Sequence, residues 1–104
     1  MELRPPSYFA LAALIDGPRH GYAIMRRARE LSGGEVRLST GTLYALLERA
    51  TEEGLVSAGE PYVTSGRTRR DYALTGVGRA ALATEAQRLD ARARIVWGLL
   101  GSAG

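Results

Sequence analysis

The sequence has no cysteine, one histidine and one tryptophan in 104 residues. Without cysteine, disulfides, thiolate nucleophiles and zinc ribbons all drop out. The single histidine, His20, has no acidic or metal-binding company at helical spacing, and carboxylates do not cluster elsewhere. No set of nucleophile, base and oxyanion donor can be assembled, so neither an enzyme nor a metal or cofactor site is expected; His20 reads as a helix-start or packing residue. Long hydrophobic runs are missing too, and the opening M-E-L-R-P-P lacks a signal-peptide pattern, so a cytoplasmic location with no membrane partner is expected. Lysine is also absent: all fourteen basic residues are arginine, which suits phosphate recognition and suits equally the codon bias of a high-GC genome.

What is present is ordinary in bulk. Hydrophobic residues make up 45% and charged residues 24%, as in a folded globular protein. The length fits one small domain of modest stability, which a second copy would help. A net charge of +3 is compatible with a polyanionic partner and too mild to demand one.

The chain is organised around Ser39 to Gly54, S-T-G-T-L-Y-A-L-L-E-R-A-T-E-E-G. Ser39 can cap a helix start and Gly54 can end it in the left-handed conformation, which bounds one helix of about four turns. Leu43, Leu47 and Ala50 recur at i, i+4 and i+7 as a buried stripe with Leu46 beside it. Thr40, Thr42, Tyr44, Glu48, Arg49 and Glu52 are left outside. Two helices precede it. The first runs from Pro5 to Ile15 and stops at Asp16-Gly17-Pro18. The second opens at His20-Gly21-Tyr22 and runs to about Leu31, with Ala23, Ile24, Ala28 and Leu31 inward. Arg26, Arg27 and Arg29 on its outer side form either a phosphate clamp or a solvated face. Two helices joined by a short link containing glycine have a helix-turn-helix outline.

After Gly54 the pattern becomes extended. Leu55–Glu60 and Arg69–Leu74 read as two strands of a hairpin with a long tip, and the tip and returning strand carry Arg67, Thr68, Arg69 and Arg70. Those arginines suit a phosphate backbone or minor groove, or else keep an edge soluble by charge. From Thr75 to Leu100 one long helix is predicted, with Gly76 and Gly78 loosening its first turn. Leu82, Ala86, Leu89, Ala93, Val96 and Leu100 follow spacings of 4, 3, 4, 3 and 4, a heptad seam that calls for a second helix. A homodimer answers that requirement; packing back within the chain is the competing arrangement.

In combination these motifs resemble the PadR family of bacterial winged-helix transcriptional regulators. The matching residues are His20-Gly21-Tyr22-Ala23-Ile24, Gly41-Thr42-Leu43-Tyr44 with Leu47, Glu53-Gly54-Leu55-Val56, and Gly66 through Thr75 with Gly78; they cover roughly positions 7 to 78. Ala45 and Thr68 stand where the family often has proline. The resemblance implies a mainly α fold with a small β-hairpin: a winged helix-turn-helix over 1–74 and a C-terminal dimerisation helix over 75–104. It implies a homodimer on a palindromic operator in double-stranded DNA, acting as a repressor that a small aromatic effector releases. Ser39, Thr40, Gly41, Thr42, Tyr44 and Arg49 would serve the recognition helix, and Arg67, Thr68, Arg69 and Arg70 the wing. Trp97, with Tyr8 as a second candidate, would stack on the effector; otherwise Trp97 anchors the dimer core. A winged helix that binds protein and not DNA is the alternative.

Overall fold

Pro5 and Pro6 open α1 (Pro5–Ala12) in the first turn, where a missing N–H costs nothing. The computed structural model describes residues 1–103. The helix stops short of Ile15 because the next N–H groups bond three residues back: Leu14 to the Leu11 carbonyl at 3.0 Å and Ile15 to that of Ala12 at 3.1 Å. This tighter winding ends at Gly17, yet Ala13 and Leu14 remain buried.

The two residues Arg19–His20 form a short strand, β1, directly before α2 (Gly21–Leu31). Ile24 and Ala28 of α2 are buried, but Leu31, expected inward, is 39% exposed. The helix ends there, and Val36 and Leu38 of the following link take the core positions instead. α3 (Thr40–Glu52) buries Leu43, Leu46, Leu47 and Ala50, matching the expected stripe. Gly54, with φ 75°, turns the chain out of α3, a conformation that disfavours any residue with a Cβ.

The expected hairpin is built in two parts. β2 (Val56–Ala58) and β5 (Asp71–Leu74) pair antiparallel, Val56 facing Leu74, and β1 joins the free edge of β5 with His20 facing Asp71. The sheet order is therefore β1-β5-β2. Beyond it, β3 (Tyr62–Thr64) and β4 (Arg67–Arg69) form a second ladder with Tyr62 facing Arg69. Pro61 has no N–H to give a continuous ladder, so pairing breaks there and resumes in the outer hairpin. Ser65 and Gly66, at φ 49° and 73°, close that hairpin as the mirror-image turn that matches strand twist.

α4 (Gly76–Ala103) is 28 residues long, about 42 Å at 1.5 Å per residue. It accounts for a molecule measuring 59 × 26 × 22 Å. Thr75 starts it: its Oγ1 accepts from the Gly78 N–H at 3.0 Å and donates to the Leu55 carbonyl at 3.0 Å. Gly78 does not loosen this turn. A Cβ there would collide with the Leu55 carbonyl and come within 2.7 Å of Leu74 Cδ1. Glycine therefore lets α4 lie directly on the backbone leaving α3. Leu82, expected on the dimer seam, is 6% exposed and buried in the chain's own core. The core thus joins α1, α2, α3, the start of β2 and the first turns of α4. The result is a winged helix-turn-helix followed by a long C-terminal helix. Among the described residues no helix is long and apolar enough to cross a membrane.

Candidate nucleic-acid interface

The start of α3 is held by hydroxyls. Ser39 Oγ accepts from the Thr42 N–H at 3.2 Å and donates to Thr42 Oγ1 at 2.9 Å. Both side chains remain exposed, but each is oriented by the other. Removing a serine N-cap costs about 1 kcal/mol, so Ser39→Ala is expected to lower stability by about that much. Chemical denaturation measures it; an unchanged midpoint would show that the cap contributes nothing.

The expected outer face of α3 divides in two. Gly41, Ala45, Glu48 and Glu52 recur at i, i+4, i+7 and i+11 and occupy the centre of the exposed surface. Thr42 and Arg49 flank it on one side, Thr40 and Tyr44 on the other. Tyr44 is 47% exposed and leans across the start of α2. A Cβ on Gly21 would stand 2.6 Å from Tyr44 Oη and 2.9 Å from its Cζ, so glycine makes room for the ring.

A groove of about 380 Å³ lies between the starts of α2 and α3 and the outer hairpin. Of the residues singled out from the sequence, it gathers Thr40, Tyr44, Arg67, Thr68, Arg69 and Arg70. Ser39, Gly41, Thr42 and Arg49 do not line it. Tyr22 and Met25 continue its wall into a second groove of about 310 Å³, bordered by Arg26, Arg29 and Arg37. Among the described residues neither groove is lined by a carboxylate. Arg27, grouped with its neighbours in the sequence, is half-buried on another side of α2. There it adds to the hydrogen bond from Arg19, 2.8 Å long, that holds the Asp16 carboxyl below its ordinary range. Sequence reasoning passed over Arg37 and the exposed ring of Tyr22. Arg37 lies between two buried residues, Val36 and Leu38, and that alternation was a usable sign of an outward side chain.

His20 turns out to have company. Its Nδ1 accepts from the Ala23 N–H at 3.2 Å and so caps α2, while Arg69 Nη1 lies 3.0 Å from the same nitrogen. Burial, then the Arg69 charge, pushes the His20 pKa down, partly offset by Asp71. Tyr62 Oη donates to Asp71 Oδ1 at 2.6 Å, which raises the phenol pKa. Burial raises that of Tyr72.

At the far end, Ala86, Leu89, Ala93, Val96 and Leu100 are all exposed on α4, and Trp97 is 71% exposed beside them. Tyr8 packs edge-on against Phe9, centroids 5.3 Å apart, and lines a groove of about 300 Å³ with Leu3, Pro5 and Leu89. Trp97 does not line that groove, so one chain does not bring the two aromatic candidates together.

Residues 10–84 match the Transcriptional regulator PadR-like family. The chain is 44% identical over 70 residues to Transcriptional regulator Rv3488 of Mycobacterium tuberculosis, covering 67% of this chain and 64% of that protein. Across its sequence relatives the chain spans between 24% and 66% of their length. Its fold is similar to that of a PadR family transcription regulator from Clostridium difficile, with a TM-score of 0.77, 24% identity and coverage of 93% of this chain and 99% of that one. It is similar also to Bacillus subtilis PadR in complex with operator DNA, with a TM-score of 0.69, 24% identity and coverage of 80% and 48%. The matched span begins inside α1, takes in the helix-turn-helix and the whole wing and ends within α4, and on that basis the chain belongs to the PadR-like family of transcriptional regulators.

Proposed function

We propose that this regulator binds duplex DNA sequence-specifically as a homodimer, each α3 entering a major groove while the outer hairpin follows the flanking backbone or minor groove. The observation that carries this reading is the arginine-edged surface running without a carboxylate from Arg37 and Arg26 through Tyr22 to Arg67 and Arg70. Phosphate neutralisation favours such a surface, and the hydroxyls and backbone N–H groups at an exposed helix start suit close approach to the strand. Bacillus subtilis PadR, which has a similar fold, was solved in complex with operator DNA, which supports DNA as the partner. The exposed lower seam of α4 supports dimerisation, since a contiguous run of apolar side chains suits a partner surface. In the dimer, Trp97 and Tyr8 would serve a flat aromatic effector whose binding releases a repressor from its operator.

The test is a gel shift against the promoter of its own gene at two salt concentrations. Log K is expected to fall by about 0.9 per phosphate neutralised for each decade of salt. Arg67→Gln and Arg70→Gln should each flatten that slope by about 0.9. Absence of specific retardation at any salt would sink the DNA reading, and wild-type slopes in both variants would remove the hairpin from the interface.

A further inference from the structure

We infer that Arg69 and His20 are positioning residues that fasten the outer hairpin to the helix-turn-helix, and that Arg69, unlike Arg67 and Arg70, does not contact DNA phosphate. This deepens the proposed DNA-binding role and rests on it. The outer hairpin leaves the sheet through Gly59–Pro61 on one side and Arg70 on the other, without a continuous ladder between β2–β5 and β3–β4. Two side-chain contacts span that break. Tyr62 Oη donates to Asp71 Oδ1 at 2.6 Å, tying β3 to β5. Arg69 Nη1 lies 3.0 Å from His20 Nδ1 and 3.2 Å from Nε2, tying β4 to the first residue before α2. Strand pairing places the four groups side by side, because Tyr62 faces Arg69 and His20 faces Asp71.

The chemistry of His20 makes the contact conditional. Nδ1 accepts from the Ala23 N–H with its one lone pair, so in the neutral ring the proton sits on Nε2, and Arg69 Nη1, nearly equidistant from the two ring nitrogens, lies against the face of the ring. An imidazolium has no lone pair for the Ala23 N–H, and its face repels a guanidinium. Protonation would remove the α2 cap and place two cations against each other. The groups facing His20 are Arg69 from β4, Asp71 from β5 and Arg26 from its own helix, with the rings of Tyr22, Tyr44 and Tyr72 around the groove. Burial and Arg69 together hold the ring neutral, which is the form the contact requires. Arg69 is also less exposed than Arg67 and Arg70, consistent with a side chain turned inward.

The experiment combines His20→Asn, Arg69→Gln and the double variant, using a labelled duplex of the protein's own promoter and, separately, proton NMR of the single histidine. Asparagine preserves an N-cap while removing the ring. If Arg69 acts through His20, each single variant weakens binding by about tenfold with the wild-type salt slope, and the double variant is no weaker than either. In Arg69→Gln the His20 pKa rises, and in Asp71→Asn it falls. A salt slope flattened by about 0.9 in Arg69→Gln, with costs that add in the double variant, would make Arg69 a phosphate contact and overturn the inference. An unmoved His20 pKa in Arg69→Gln would overturn it independently of DNA. Wild-type protein that binds no duplex would sink the DNA reading and the positioning role together, while the NMR arm would still report whether the contact exists.

Discussion

Gly78→Ala is expected to destabilise the protein by about 3 kcal/mol, a large share of the stability of a small domain. The added methyl would overlap the Leu55 carbonyl oxygen, crowd its carbon at 2.9 Å and approach Leu74 Cδ1 at 2.7 Å. Side chains can rotate away from an intruder, but this obstacle is backbone. Leu55 is itself fixed: its N–H donates to the Ala50 carbonyl at 2.8 Å and its carbonyl accepts from the Thr75 N–H at 3.1 Å. Relief would require α4 to lift from the end of α3, which would break the Thr75 cap and expose Leu82. Urea denaturation should show a lower midpoint with an unchanged slope. Gly98→Ala is the matched control, because nothing lies within 4 Å of a Cβ there. In a helix interior that change should stabilise by about 0.5–1 kcal/mol. Equal stability of Gly78→Ala and wild type would contradict the close approach.

The second large effect is expected from Leu89→Glu combined with Val96→Glu, which should convert a dimer into a monomer. Leu89 and Val96 are 41% and 54% exposed and stand one heptad apart on the lower seam. Within one chain they are near water, so glutamate there leaves the monomer folded and its helical circular dichroism intact. At a helix–helix interface an unpaired buried carboxylate costs about 3–5 kcal/mol. Light scattering should give the monomer mass of 11.2 kDa for the variant and twice that for wild type. Affinity for a palindromic site should fall by about 10²–10⁴, since the second half-site is no longer engaged intramolecularly. A wild-type mass of 11.2 kDa at tens of micromolar would dispose of the α4 dimer.

Local periodicity carried much of this architecture. The buried stripe of α3 was legible because Leu43, Leu47 and Ala50 have one helical phase, and its cap because serine has one suitable oxygen at that position. The direction of α3's outer residues was not. Thr40, Thr42 and Tyr44 are all exposed, but which edge faces the wing depends on the packing angle between helices, a property of no single helix. Tyr44 leans toward α2 only because Gly21 leaves space for it. Leu82 shows the same limit: a heptad pattern identifies an apolar seam and does not say where along it the chain's own core ends.

The strand β1 was invisible for a different reason. Two residues carry no period, and Arg19–His20 is a strand only because β5 lies alongside. That pairing also gave the isolated histidine its partner, since His20 and Arg69 are 49 positions apart and no spacing rule joins them. Local chemistry was enough to set which segments are helical, which faces are apolar and that the wing is rich in arginine, because these depend on neighbours within a turn or two. Tertiary structure alone decided which arginines share a surface, which one turns back onto His20 and where α4 stops serving its own core. Those outcomes depend on distances between segments far apart in the chain, and side-chain chemistry without that geometry leaves them open.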